Sequence, residues 1–399
     1  MYRAIASLLA LLVPLTAPNR ATDERAAFVT TLGRDTVALE SVARSGNRLD
    51  GDIIVRVPNT VHFHYQVELK PDGSASRATL DMDPMGAKNM TPRRTTIELG
   101  ADSVRVTIDS AGQHRKLSHA SQNGIVPLFM TGFGSSYGLY SSIGLYELFL
   151  GRGVPKVNDT VSVASVDLAS GAVAKRRFIG RSATMVDVDY FNVLWTHLTI
   201  DASGQVASAD ARETTEKTKT HRSDFFDVTA AAKSFAAADR SGKGVGIASP
   251  NQIEKGMLGG ELVVVAYSSP RRRGRTILGD VVPYDRVWRT GANAATTIMC
   301  DRDLIIGGAT VPAGTYSLWT GPKRDGTVQL IINRQHGQWG TDYDPAQDLV
   351  RVPMKTSVLS APQENFTIHV EATGNSGEVR MAWDTFMWTV PISLKGVSS

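Results

Sequence analysis

Strict period-two alternation, interrupted by turn chemistry, is the feature that most constrains this chain. In VHFHYQVELKPDGSASRATLDMD, from Val61 to Asp83, Phe63, Tyr65, Val67 and Leu69 fall on one side of an extended segment. His62, His64, Gln66 and Glu68 fall on the other. Pro71-Asp72-Gly73 fixes one φ and then supplies a residue tolerant of positive φ, so the chain turns back. The return run sets Leu80 and Met82 against Thr79, Asp81 and Asp83. Thr95–Leu99, Ser103–Ile108, Thr160–Val166, Lys175–Ile179, Thr184–Val188 and Val193–Ile200 continue the pattern, which extends from about Asp35 to Arg212. A sheet with one apolar face must bury that face. The expected cover is a helix over Tyr137–Leu150, where Leu139, Ile143, Tyr146 and Leu150 recur at helical spacing and Gly138 and Gly144 weaken it.

After Arg212 the pattern changes. Residues 213–251 read as a linker with one helix over 224–238, capped by Ser223, carrying Phe225, Val228, Ala232 and Phe235 as a stripe and ended by Gly242, Gly244 and Gly246. From Glu261 alternation returns in Leu262–Tyr267, Ala295–Met299, Asp303–Ile306, Thr315–Trp319, Val328–Asn333, Leu349–Met354, Asn365–Ala372, Glu378–Trp383 and Met387–Leu394. The turns at 311–314 and 374–377 are expected to make hairpins of their flanks, with Phe366, Ile368 and Val370 facing the same way as Val379, Met381 and Trp383. The fold class is therefore mainly β. An N-terminal antiparallel domain over residues 27–212, its sheet curved, is followed by an antiparallel β-sandwich over 260–399.

A chain of 399 residues accommodates two such domains. Its net charge of +4 is spread rather than blocked, which argues against nucleic acid as a partner. The single cysteine, Cys300, excludes an intrachain disulfide and a cysteine-rich metal knuckle. MYRAIASLLALLVPLTAPNRA, residues 1–21, has the charged start and short apolar run of a secretory signal peptide, cleaved after Ala17 or Ala21. Export to the periplasm or beyond is the expectation. No second apolar run is long enough to span a bilayer, so the mature form is expected to be soluble.

SPRRRGRTILGDVVPYDRVWRTGANAATTI, then VPAGTYSLWT, then INRQHGQWGTDYDPAQDLVRV resemble, in content and order, the bacterial domain of unknown function 2911 family. The resemblance runs from about Ala266 to Lys355 and on toward the C-terminus. It implies export and a β-rich domain, and it names no activity, substrate or cofactor. Such sequences often carry an acidic residue after the Gly-Ala-Asn turn; here that position is Ala294.

Within this region Arg271, Arg272, Arg273, Arg275, Arg286 and Arg289 accompany Tyr284, Trp288 and Asn293, and the HGQWGTDYD loop adds His336, Trp339, Tyr343 and Asp344. Guanidinium forks bind carboxylate or phosphate, and aromatic faces stack on sugars. If the loops converge, Arg271, Arg275, Tyr284, Trp288, Arg289, Asn293, Trp339 and Tyr343 line a cleft for a small anionic or sugar-like ligand. The competing assignment makes Trp288 and Trp339 core plugs and pairs the arginines with Asp280, Asp285 or Asp344. His62 and His64 are candidate metal ligands, with Glu68, Asp81 or Asp83 as further donors, against the alternative of a solvated strand face. Gly134–Gly138 fits a nucleophile elbow around Ser136, followed by Asp187 or Asp189 and His197. Its antiparallel surroundings and the lack of an oxyanion motif oppose that reading. No glycine-rich dinucleotide motif follows a strand and no phosphate-binding P-loop occurs, so no nucleotide cofactor is expected. The leading functional expectation is an exported binding or accessory protein of the cell envelope. The alternatives are a hydrolase using the Ser136 pattern or His336 with Asp342 or Asp344, and a lipid-carrying N-terminal sheet.

Overall fold

The computed structural model describes residues 24–88, 90–121, 124–131, 140–190, 194–214 and 216–396. The expected signal peptide and the Ser136 pattern lie outside them. The chain is mainly β, 58% strand with two helices, and its strands form a large N-terminal sheet and an antiparallel C-terminal one. No helix among the described residues is long and apolar enough to cross a membrane.

The alternating hairpin forms as its sequence dictates. Val61–Leu69 pairs antiparallel with Ala75–Asp83, and Phe63, Tyr65, Val67, Leu69, Leu80 and Met82 are buried together. The sheet is larger than the alternation suggested, with 15 strands. Strands run in reverse chain order from Gln113–Ala120 at one edge to Glu24–Leu32, which pairs with Lys219–Ser223. From there they run back to Thr160–Asp167, which Val126–Leu128 joins in parallel. Lys219–Ser223 thus corrects the expected linker: it is an interior strand, held by Glu24–Leu32 on one side and Val206–Asp210 on the other. Its inward residue Thr220 is buried against Thr30, hydroxyl to hydroxyl at 2.8 Å, so it shows no apolar alternation.

The first helix, α1 (Ile143–Leu150), starts later than expected because Tyr140–Ser141 is extended and pairs with Met130–Thr131. Ser142 caps it, accepting from Leu145 N at 3.2 Å. Ile143, Leu145, Tyr146, Phe149 and Leu150 are buried in the same core as Phe63 and Tyr65, with Phe149 4.2 Å from the Phe178 ring. At its start lies the fully buried Glu40 of strand Asp35–Ser45. That carboxyl accepts from Tyr65 Oη at 2.9 Å, Ser142 Oγ at 2.5 Å and Ile143 N at 2.8 Å, and also from Tyr140 Oη. A Cβ on Gly144 would lie 2.7 Å from Tyr65 Oη and 3.0 Å from Glu40 Oε1, so the glycine that lowers helix propensity is what lets the helix approach the carboxyl. The second helix, α2 (Val228–Arg240), is capped by Asp227 rather than Ser223. Its Val228 and Ala232 pack on Leu39 and Ile54, while Phe225, expected in its stripe, precedes the helix and is exposed.

The C-terminal sheet has nine strands in the order Asn251–Leu258, Glu261–Ser268, Thr296–Cys300, Gly314–Pro322, Val328–Asn333, Asp348–Thr373, Ser376–Leu394, Leu304–Ile306 and Ala309–Val311. Two pairs of expected strands are continuous: Leu349–Met354 and Asn365–Ala372 lie in Asp348–Thr373, and Glu378–Trp383 and Met387–Leu394 lie in Ser376–Leu394. Register breaks between Val358 and Thr367 let this ribbon bend without ending. Phe366, Ile368 and Val370 are buried with Val379, Met381 and Trp383, as the alternation required. The turn at 374–377 closes that hairpin. The turn at 311–314 does not close one: Ala309–Val311 pairs with Leu304–Ile306, and Gly314–Pro322 pairs with Thr296–Cys300 and Val328–Asn333.

The two sheets touch where the turn at Gly33 meets the arginine segment. Arg34 N donates to Arg273 O at 2.9 Å, and Arg273 pairs with Asp35. A Cβ on Gly33, whose φ is +63°, would fall 2.3 Å from that same carbonyl. Nearby, Arg212 Nη1 reaches Asp280 Oδ1 at 3.3 Å.

Candidate functional site

The two tryptophan-bearing loops converge. Gly340 N donates to Asn293 O at 2.9 Å, Ala295 N donates to Gln338 O at 3.1 Å, and Ala294 bridges Trp339. A Cβ on Gly340 would lie 1.9 Å from Arg289 Cδ, so only glycine lets the arginine side chain run past the second loop. Asn293, at φ +59°, turns the first loop and donates to Ser268 Oγ at 3.3 Å.

Packing, however, takes several of the expected ligand contacts. Trp288 is buried in the C-terminal core, stacked on Trp383 at 6.0 Å and edge-on to Phe366 at 5.2 Å. It fills the core rather than a cleft. Tyr343 packs on Trp319 at 4.9 Å and donates to Asp348 at 2.8 Å; burial and that carboxylate push its hydroxyl up to about 12. Tyr284 lies against Gly279 with the Arg324 guanidinium 5.7 Å from its ring centre. Arg272 pairs with Asp384 at 2.9 Å, and Arg286 is exposed. The aspartates expected to pin the arginines are engaged elsewhere: Asp280 with Arg212, Asp285 with Arg324, and Asp344 as a cap accepting from Ala346 N at 2.9 Å. Arg271 bridges Asn365 through its backbone.

His336 is exposed, and among the described residues no hydrogen bond joins it to Asp342 or Asp344. His62 Nε2 and His64 Nδ1 both approach Asp52 Oδ1, at 2.9 and 3.0 Å, with Asp52 on the neighbouring strand. Burial would raise the Asp52 carboxyl, but the two imidazoles outweigh it and hold it well below the usual range. Among the described residues no group of three or more His, Cys, Asp or Glu is placed to hold a metal ion. Asp187 and His197 do meet, at 2.7 Å, but the other imidazole nitrogen faces Glu213 at 3.5 Å. Burial would lower the His197 imidazole, but the Asp187 and Glu213 carboxylates outweigh it and raise it above its ordinary value.

What remains uncompensated is Arg289. Its Nε is enclosed without an acceptor, and among the described residues no carboxylate pairs with it; burial pushes it down to about 10, still cationic at neutral pH. Arg275 donates only to carbonyls, Arg272 O at 3.1 Å and Arg271 O at 2.5 Å, and burial, with Arg273 next to it, pushes it down to about 10. Sequence reasoning missed a third cation. Lys217, at φ +57° in the loop before Lys219–Ser223, donates from Nζ to Arg212 O at 2.7 Å. Burial, then Arg289 and Arg275, push it down to about 8, against the pull of Asp280 and Glu213. Nothing in ETTEKTKTHRS marks this lysine.

Its neighbour Glu216 points the other way. That carboxyl is buried, among the described residues its Oε1 has no partner, and it lines a cavity of ≈ 10 Å³ with Thr30, Tyr146, Thr218 and Thr220, about the room one water needs. Burial raises it to about 7. The folded chain therefore keeps a proton there that the unfolded chain loses near the ordinary 4.5, so stability is full below that value and falls as pH rises toward 7. Glu216→Gln is expected to remove this fall and to gain about 3 kcal/mol over wild type at pH 8. Urea midpoints at pH 5 and pH 8 check it; a gap between variant and wild type that does not change with pH contradicts it.

Residues 249–392 match the family model described as protein of unknown function (DUF2911). The matched region contains both converging loops and Arg289, while Lys217 comes from the part of the chain without a family match. No curated protein matches the chain. Among solved structures it is similar to a DUF1089 family protein from Pseudomonas aeruginosa, at 9% identity over 43% of this chain and 89% of that one, with a TM-score of 0.32.

Proposed function

We propose that this protein is a binding or accessory module that holds an anionic group of its ligand at Arg289, where the two DUF2911 loops meet. The observation that carries the reading is the guanidinium itself. An enclosed cationic donor without an acceptor is costly in the empty protein, and an incoming anion supplies the missing partner. We place the protein outside the cytoplasm, on the reading of residues 1–21 as an export signal. We also take the chain as two domains, with the C-terminal sheet folded into a sandwich. Close contact of Gly256, on the first strand, with Val370, on the long ribbon, supports that arrangement.

Two measurements on Arg289→Met test the reading. In sulfate-free chloride buffer the variant is expected to be at least as stable as wild type, because a half-buried charge whose Nε has no acceptor among the described residues has been removed. Sulfate at about 100 times its dissociation constant is expected to stabilise wild type by about 2.7 kcal/mol beyond the general salting effect, which the variant alone reports. A variant that loses more than about 1 kcal/mol in chloride and responds to sulfate as wild type does makes Arg289 a structural residue and ends the proposal.

A further inference from the structure

We infer that the cavity lined by Glu216 is a binding site for one dehydrated alkali cation of sodium's size, with the Glu216 carboxylate as its charged ligand. The turn between Val206–Asp210 and Lys219–Ser223 is built to hold that carboxyl inward. Ala211 N donates to Thr218 O at 2.9 Å. The buried Thr214 hydroxyl donates to Ala211 O at 2.7 Å and accepts from Glu216 N at 3.0 Å. Lys217, the next residue, takes φ +57° and sends its ammonium away to Arg212 O. A buried carboxyl held in this way, its Oε1 without a partner among the described residues, is costly unless a ligand reaches it.

The chemistry of the lining selects that ligand. Besides Glu216, every polar side chain around the ≈ 10 Å³ is a hydroxyl, among them Thr30, Tyr146, Thr196, Thr218 and Thr220. A hydroxyl that donates still offers lone pairs, as Thr30 and Thr220 do while they share a hydrogen bond at 2.8 Å. Hard oxygens without nitrogen or sulfur suit an alkali or alkaline-earth ion rather than zinc or copper. A single carboxylate balances a single positive charge, whereas calcium gathers about six to eight oxygens, several of them from carboxylates. The lining contains no basic side chain, so the cation comes from solution, and the room is that of one water rather than of an organic ammonium. The titratable groups facing Glu216 are the Tyr140 and Tyr146 phenols, both raised by burial and neutral at the pH values used below. Arg176 and Asp189 bear on Tyr146 rather than on Glu216. Proton and sodium therefore compete for one carboxylate. Without sodium the folded chain gives up its Glu216 proton near 7 and has lost stability above that pH; bound sodium restores part of the loss.

Urea unfolding of the full chain at pH 8 and pH 5, in sodium, potassium or choline chloride at one ionic strength, tests the inference. Chloride is common to all three, so binding of an anion at Arg289 does not enter. At pH 8, sodium at about ten times its dissociation constant is expected to lower the wild-type unfolding constant about tenfold relative to choline, saturably, and potassium to do less. At pH 5 the folded chain keeps its proton on Glu216, and the sodium response is expected to vanish. Glu216→Gln keeps the volume and removes the charge, so its unfolding at pH 8 is expected to be the same in sodium and choline. A sodium response that persists in Glu216→Gln, or that is as large at pH 5 as at pH 8, belongs elsewhere on the protein and overturns the inference. Equal wild-type midpoints in sodium and choline at pH 8 overturn it as well and leave the cavity to water. If potassium stabilises as much as sodium does, the size assignment falls.

Discussion

Glu40→Ala is expected to cost the N-terminal sheet about 3–5 kcal/mol, because several buried donors lose their acceptor at about 1–3 kcal/mol each before they relax. The carboxyl gathers Tyr65, Tyr140, Ser142 and the amide of Ile143 at the first turn of α1, all of them inside the core. Alanine leaves those donors without an acceptor and opens a void among them, and the hydroxyls can recover only what rotation allows. Glu40→Gln preserves the volume and one acceptor oxygen but turns a donor toward a ring of donors, so it is expected to fall between alanine and wild type. Urea denaturation followed by far-ultraviolet circular dichroism reads both variants. Alanine within about 0.5 kcal/mol of wild type contradicts the role assigned to this carboxyl.

Trp288→Ala is expected to cost about 3–5 kcal/mol in the unfolding of the C-terminal sheet, the usual penalty for deleting a buried tryptophan. The indole sits among Phe366, Trp383 and Trp388, within ring-to-ring distances of 5.2 to 6.5 Å. Those neighbours belong to the two long strands, which cannot close the void without bending. Trp288→Phe retains part of the stack and is expected to lose about half as much. A loss under about 1 kcal/mol for alanine, accompanied by loss of sulfate binding, would return Trp288 to the ligand side of the account.

The pattern of what could be read in advance follows from where each interaction is local. Alternation in Val61–Leu69 and Asn365–Ala372 specified buried faces correctly because strand neighbours obey a two-residue period whatever they pair with. Lys219–Ser223 escaped because its inward contact is threonine on threonine, which carries no hydrophobic signal. Glu40 left a trace that could have been followed: it lies between Ala38 and Val42 on the apolar side of its strand, where a carboxyl needs a stated partner. The convergence of the Trp288 and Trp339 loops stood in the sequence only as a condition for a cleft, and the split between a core-filling tryptophan and an arginine with an unpaired Nε one residue later was not legible at all. Adjacent residues in an irregular loop point in directions set by tertiary contacts, here the Gly340 crossing.

The most direct test of the central claim is to locate an anion in the protein itself. Crystals grown in selenate, a tetrahedral dianion with a usable anomalous signal, are expected to show one ordered selenium site with oxygens within hydrogen-bonding distance of the Arg289 guanidinium. Selenate ordered only on exposed side chains, with the Arg289 Nε meeting a carboxylate of its own chain, would contradict it.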